Sequence, residues 1–239
     1  MNIYYQKVGE DFFSLDVYNA YKGFDVRREH NSFFYEDIME VPANKHNMVV
    51  ACIEDTVTFF DRLGITIPKP INIPDELNTT EFLRRKVEVK TLQEFYDSWN
   101  GECPIFIKPY DKVKLFSGGV IKKAFSKEQF YELPSDTKVM ISNYIDMSSE
   151  YRCFVNRSKL VGLKHYNTDF TLFPDIKFIR QAIEAYKSAP ISYSLDFSVS
   201  DTGETSVIEA NDGWSLGSYG LDSETYSRFL IDRWLQIIR

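Results

Sequence analysis

The chain is poor in the residues from which several kinds of site are built. Its three histidines, His30, His46 and His165, are scattered and make no zinc-binding pattern. Its three cysteines, Cys52, Cys103 and Cys153, are an odd set without CxxC spacing. They do not make a disulfide framework and fit reduced thiols in a cytoplasmic protein. No stretch reaches the roughly 18 apolar residues of a membrane span, and residues 1–15 hold no apolar signal core. Basic residues (28) are outnumbered by acidic ones (35), which leaves a net charge of −7 and no long basic run. Neither a nucleic-acid nor a membrane partner is expected from that balance. There is no GxxxxGK[ST] phosphate loop, no internal repeat, and no Ser/His/Asp or Cys/His arrangement.

Apolar and aromatic residues are plentiful, at 44% and 15% of 239 residues. That supports one large core or two to three small lobes and argues against disorder. Residues 1–80 read as an N-terminal α/β lobe. Strands are expected at 2–5 and 47–53, and a helix at 54–63 that stops at Gly64; Pro68, Pro70 and Pro74 then make an extended connector. Residues 81–141 read as a central unit. Thr91 and Glu94 form a capping box for a helix running to about Trp99. An apolar strand at 104–109 ends on Lys108, and a glycine-bearing loop at 112–120 follows. Ser126 and Gln129 suggest a second capping box, and 138–145 a strand. Residues 142–239 read as a third unit. Paired strands are expected at 151–155 and 160–166, a helix capped by Asp175 with Ile176, Ile179, Ile183 and Tyr186 on one face, then a hairpin. A last helix begins near Ser223.

The hairpin carries the most information. Residues 191–199 alternate, with Tyr193, Leu195 and Phe197 on one side and Ser192, Ser194, Asp196 and Ser198 on the other. If the turn is symmetric about Thr202 and Gly203, Leu195 faces Ala210, Phe197 faces Ile208 and Asp196 faces Glu209, with Asn211 diagonally beside the acids. Like charges directly opposed destabilise a sheet. Either a cation compensates, for which two carboxylates and an amide oxygen suit Mg²⁺, or the acidic face simply meets water.

Four weaker signals accompany it. Ser117-Gly118-Gly119 either turns backbone N–H groups toward a phosphate or is a plain hairpin turn. Lys108 at the end of an apolar strand either meets a nucleotide phosphate or snorkels to the surface. Glu150 and Arg152 share a strand face, with Lys164 on the neighbouring strand, as part of a site or of a structural ion-pair network. Arg84-Arg85-Lys86 alone reads as solvated surface.

Taken in order, these signals resemble the ATP-grasp superfamily over about residues 80–220. The Asp196…Glu209-x-Asn211 spacing resembles the D-alanine–D-alanine ligase type. Arginine in place of the first nucleotide-binding lysine, at Arg85, resembles a bacterial and viral clade of that superfamily. The resemblance implies an α+β ATP-grasp fold: a preceding α/β lobe, a small lid lobe and a larger C-terminal lobe. It implies that Arg85 (with Arg84 and Lys86 as competitors) and Lys108 bind the α/β-phosphates of ATP, and that Ser117, Gly118 and Gly119 close over the β/γ-phosphates. Asn143, Tyr144 and Ile145 pass the adenine, and Glu150 or its rival Asp146 holds the ribose. Asp196, Glu209 and Asn211 bind Mg²⁺; Arg152 and Lys164 face the phosphoryl group; Trp214, Ser215 and Gly217 line the acceptor pocket. The activity implied is carboxylate–amine ligation on small-molecule or peptide substrates. A non-catalytic ATP-binding module and a phosphotransferase on the same fold remain the alternatives.

Overall fold

In the computed structural model, which describes residues 1–111, 115–122, 130 and 132–239, the strands form three four-stranded sheets. The first is built on β1 (Asn2–Val8), which buries Ile3 and Tyr5. A short β2 (Asp11–Phe12) turns back on its end. The helix α1 (Leu15–Arg27), capped by Ser14, leads to β3 (Asn31–Tyr35), and β4 (Asn47–Val50) follows. Both β3 and β4 run parallel to β1, one on each side. The strand expected at 47–53 ends at Val50, because Cys52 caps a helix, α2 (Ile53–Arg62), through its Sγ. Neither α1 nor β3 is foreseen from the sequence. In α1 the buried positions are the small Ala20 and Gly23 with Val17 and Phe24, while Leu15 is 84% exposed, so no apolar stripe shows. In β3 all but Tyr35 are exposed.

After the proline connector a one-turn helix, α3 (Thr80–Leu83), leads into the second sheet. Its strands β5 (Val87–Thr91), β6 (Ile105–Pro109), β7 (Gly119–Ile121) and β8 (Lys138–Asn143) lie in the order β5-β8-β6-β7, all antiparallel. The Thr91–Glu94 capping box is present and starts α4 (Leu92–Ser98), which packs Leu92 and Phe95 onto Ile107, Val139 and Ile141. The second expected box, at Ser126, lies outside the described residues.

The third sheet has β9 (Ser149–Asn156), β10 (Lys159–Thr168), β11 (Ser192–Val199) and β12 (Thr205–Asp212) in the antiparallel order β10-β9-β11-β12. The helix α5 (Ile176–Ala185), capped by Asp175, covers one face with Phe178, Ile179 and Ala182 against Tyr193, Leu195 and Phe197. The opposite, polar face of β11 is buried as well: Ser192, Ser194, Asp196 and Ser198 are at most 1% exposed. An acidic face open to water is thereby corrected. β11 is an inner strand, so its polar residues point into the molecule.

The last helix, α6 (Ser223–Ile237), belongs to the first sheet's core. Tyr226, Phe229, Leu230 and Trp234 pack with Ile3, Tyr5, Phe24, Phe59 and Phe60. No helix among the described residues is long and apolar enough to cross a membrane. The helices α1 and α6 approach closely at Gly23, where an added Cβ would lie 1.8 Å from the Ser223 carbonyl oxygen. Backbone cannot move aside as a side chain can, so Gly23→Ala should separate the two helices. Overpacking of this kind costs about 1–3 kcal/mol, and urea denaturation should show a loss in that range or larger.

Candidate active site

The hairpin β11–β12 closes around Thr202, with Gly203 in the left-handed region (φ 82°). Val199 faces Thr205 and Ser198 faces Ser206. Continued unbroken, that register would set Glu209 opposite Leu195, on the apolar side. A bulge prevents this: Phe197 faces Val207, not the expected Ile208, and beyond it Asp196 faces Glu209 and Leu195 faces Ala210. The extra residue, Ile208, moves every later side chain of β12 to the other face.

Arg85 holds the bulge. Its side chain is buried, with Nη1 donating to the carbonyls of Val207 (2.7 Å) and Leu83 (3.1 Å) and Nη2 to that of Ile208 (2.9 Å). Burial lowers its pKa to about 10, against the pull of Glu209, so the guanidinium stays charged at neutral pH. Arg84 takes the left-handed conformation that ends α3 and points outward to Glu204; Lys86 pairs with Glu88 at the surface. The solvated-surface reading therefore fits Arg84 and Lys86 but not Arg85.

The two carboxylates are each met by a basic side chain. Arg152 grips Asp196 in a fork, Nε to Oδ1 at 2.9 Å and Nη2 to Oδ2 at 2.6 Å. Lys108, from the second sheet, donates to Glu209 Oε2 at 2.5 Å. Asn211 Nδ2 lies 3.2 Å from Glu209 Oε1 and 3.4 Å from Asp196 Oδ2, so the three side chains converge. Compensation of the acidic pair thus comes first from the protein's own cations. Burial pushes the Asp196 carboxyl up, and the Arg152 fork only partly opposes it. Burial works on Glu209 in the same sense, but the Lys108 charge and hydrogen bond, with Asn211, outweigh it and hold that carboxyl below its usual range. Among the described residues no group of three or more His, Cys, Asp and Glu gathers. Two carboxylates with an amide, whose oxygen is presented when the group turns over, are the hard donor set that suits Mg²⁺.

Two cavities meet here. One, of about 420 Å³, is lined by Arg85, Asn143, Tyr144, Ile145, Glu150 and Asp146. Glu150 accepts from Tyr166 Oη (2.8 Å) and Asn167 Nδ2 (2.9 Å); Asp146 accepts from Ser148 and from the Asp201 N–H (3.2 Å). A larger one, of about 940 Å³, takes in Gly118, Arg152, Asn211, Asp212, Trp214 and Ser215. Lys108, Glu209 and Phe106 line both. At Gly118 an added Cβ would come 3.0 Å from Lys108 Cβ and the Phe106 ring, so a larger residue would have to push the lysine or the ring aside by a few tenths of an ångström. Ser117 and Gly118 are exposed and Gly119 opens β7.

Two expected residues stand apart. Lys164 lies opposite Arg152 on β10, near enough to Asp222 to act on its charge, and is not among the residues lining either cavity. Gly217 sits against Asp16, one cavity further on. Residues the sequence did not single out include Tyr166 and Tyr219, whose rings lie 5.6 Å and 4.4 Å from the Arg152 guanidinium. The buried Asp212–Arg233 fork (2.7 and 2.5 Å) was also missed. A pairing between a strand end and a distant helix leaves no mark in local spacing.

Comparison with known proteins gives a consistent picture. Residues 82–229 match the model of an ATP-grasp domain, family 2 of the clade named for arginine replacing lysine. The structure is similar to the D-alanine–D-alanine ligase of Bacillus anthracis complexed with ATP, at 14% identity and TM-score 0.60, covering 99% of this chain and 97% of that one. It is similar to a RimK domain ATP-grasp protein of Sphaerobacter thermophilus (13%, TM-score 0.59, 96% and 99% covered). A third likeness is to the macrocyclase MdnC of Microcystis aeruginosa bound with precursor peptide MdnA (10%, TM-score 0.55, 97% and 99% covered). No curated protein matches by sequence. At these identities the structural likeness establishes the fold.

Because Lys108 outweighs burial at Glu209, the charged carboxylate stabilises the fold. A depressed carboxyl pKa contributes stability above the unfolded value, about 4.3, and loses it as pH falls through the folded value. Glu209→Gln should therefore be less stable than the parent at pH 7 without metal, with the gap closing below about pH 4. Urea melts at both pH values measure it. Arg85→Lys keeps the charge but cannot span two carbonyls, and amide exchange at 205–211 should rise in that variant.

Proposed function

The chain belongs to the ATP-grasp domain family, in family 2 of the arginine-for-lysine clade, and on that footing we propose that it is an ATP-dependent carboxylate–amine ligase. The observation that carries this reading is the meeting of two cavities at Lys108 and Glu209. One cavity has the size and lining for a nucleotide. The other brings Arg152, Glu209 and Asn211 to a space large enough for a second molecule, with Asp196 buried behind Arg152.

In this reading the adenine lies along Asn143, Tyr144 and Ile145, and Glu150 takes the ribose hydroxyls. Lys108 serves the phosphates once it leaves Glu209, since the same ammonium cannot hold both partners fully. Arg85 adds positive charge beside them; its fork is committed to the bulge, but its Nε–H has no partner among the described residues. Asp196, Glu209 and Asn211 would hold Mg²⁺, which supplies neutralising charge to the phosphate oxygens when bound. Ser117, Gly118 and Gly119 cover the phosphates, and Trp214 and Ser215 border the acceptor; Gly217 holds that loop close to α1. A substrate carboxylate attacks the γ-phosphorus and ADP leaves, giving an acyl phosphate. An amine then adds at the acyl carbon and phosphate departs. Arg152, held flat by Asp196 and Tyr219, stabilises the transferring group electrostatically; Lys164 contributes charge from the next strand. The ligase and peptide-bound macrocyclase among the structural neighbours support amino acids or peptides as substrates. The three free cysteines suit the reducing cytoplasm.

ATP with Mg²⁺ at millimolar concentration should raise the melting temperature by mass action. Lys108→Met should weaken ATP binding roughly 10- to 100-fold, the worth of a charge-assisted contact. Glu209→Gln should lower turnover on the order of 10²-fold or more, with the fold retained. A phosphate-release screen over paired amino acids and short peptides tests the reaction. An amide product supports ligation; a stable phosphorylated product identifies a phosphotransferase; nucleotide binding with no release under any pair identifies a binding module.

A further inference from the structure

The acidic pair of the candidate site is fully engaged by the protein's own groups. Asp196 Oδ1 and Oδ2 accept from Arg152 Nε (2.9 Å) and Nη2 (2.6 Å), and Glu209 Oε2 accepts from Lys108 Nζ (2.5 Å). Asn211 turns its Nδ2 toward Glu209 Oε1 (3.2 Å) and Asp196 Oδ2 (3.4 Å). All four carboxylate oxygens therefore accept a hydrogen bond, and two negative charges meet two positive ones. A divalent cation draws its affinity from oxygen donors whose charge is not already compensated. It can take hold here only when one of the two basic groups withdraws.

The two differ in their freedom to do so. Arg152 and Asp196 are directly opposed on the neighbouring strands β9 and β11, bonded at two points, and their side chains are 12% and 2% exposed. The Tyr219 ring also lies 4.4 Å from the guanidinium. Lys108 reaches Glu209 from another sheet, through a single ammonium on a flexible stem. That pair is more open, at 16% and 26%. Both of its members line the nucleotide-sized cavity, together with Arg85, Asn143 and Glu150. An anion in that cavity competes with Glu209 for the ammonium.

We propose that the Lys108–Glu209 ion pair is a latch, which keeps a divalent cation off Glu209 until the phosphates of a nucleotide take the lysine. While Lys108 holds Glu209, the cluster is electrically balanced and offers a cation little. Once the phosphates draw Lys108 away, Glu209 is left with its full charge beside Asn211, and the cation follows. Nucleotide and metal then strengthen each other's binding by the same factor, as linkage requires. The assignment rests on the ligase reading for the place of the nucleotide, and adds to it a control on the order in which the site is loaded.

Two titrations of the full chain at neutral pH test the two halves of the latch. The first uses free Mn²⁺ without nucleotide, followed by its electron paramagnetic resonance signal. Lys108→Met should bind Mn²⁺ roughly tenfold more tightly than the parent, or better, and adding Glu209→Gln to that variant should abolish the gain. The second is calorimetry with ATP in EDTA. Glu209→Gln, whose neutral amide holds an ammonium less well than a carboxylate does, should bind metal-free ATP roughly threefold more tightly than the parent, or better. An ion pair that only supported the fold would give no gain in either titration. Equal Mn²⁺ affinity in the parent and Lys108→Met, or a gain that survives in the double variant, would overturn the latch. So would metal-free ATP binding that Glu209→Gln leaves unchanged or weakens. Should Lys108→Met fail to fold, Lys108→Gln takes its place, and the second titration, which leaves Lys108 as it is, decides independently. Neither titration involves turnover. Gains in both without any amide product would sink the ligase reading and leave the latch standing. Amide formation by a protein whose Mn²⁺ affinity ignores Lys108 does the reverse.

Discussion

One arginine fork decides which way the site faces. Arg85 bonds the carbonyls of Val207 and Ile208, the two residues that share the bulge of β12. Without the extra residue Glu209 would point into the apolar layer under α5, where an unpaired carboxylate costs several kcal/mol or gives up its charge. With it, Glu209 stands beside Asp196 and Asn211 and within reach of Lys108. A lysine could supply the charge but not the fork, since an ammonium is a point donor and a guanidinium a planar one. An arginine at this position thus has a structural reason besides any contact with nucleotide.

The rest of the site follows from pairing charges within the third sheet and between the third sheet and the second. Asp196 is tied within the third sheet by Arg152 from β9, and Glu209 is tied across to the second sheet by Lys108 from β6. The first pair is internal to a rigid sheet and fixes orientation. The second bridges two separate cores, so its breaking and remaking is felt by both. Removing one member of a fully buried pair typically costs about 3–5 kcal/mol, because the survivor is left uncompensated; the Lys108–Glu209 pair is partly exposed, at 16% and 26%, and solvent lessens that cost. Asp196 and Glu209 differ for the same reason: one is more deeply buried than its partner can offset, the other is not.

Local chemistry was legible in the sequence and distant chemistry was not. The Thr91–Glu94 box, the Asp175 cap, the apolar stripe of α6 and the alternation of β11 all follow from neighbours within a turn or a strand. The facing of Asp196 and Glu209 was also read, but through two offsets that cancel: the turn is centred one half-step earlier than symmetry about Thr202 and Gly203 implies, and the bulge restores the difference. The Phe197–Val207 pairing, where Phe197–Ile208 was expected, shows the offset. The bulge is set by Arg85, far away in the chain, and no local pattern announces it. Burial of the serine face of β11, and of Arg85 itself, depends likewise on which strand is inner and which loop lies over it.

The placement of α6 ties the order of synthesis to the order of folding. The strands of the first sheet leave the ribosome well before the aromatic surface that helps cover them, from Tyr226 to Trp234. Until then Phe59 and Phe60 lack the Trp234 ring that stacks on both, and a growing chain in that state exposes apolar surface of the kind that chaperones bind. The first strand and the last helix form one cooperative unit, joined by contacts of long sequence separation that make folding slow. The middle of the chain, by contrast, can form its antiparallel sheets as it emerges.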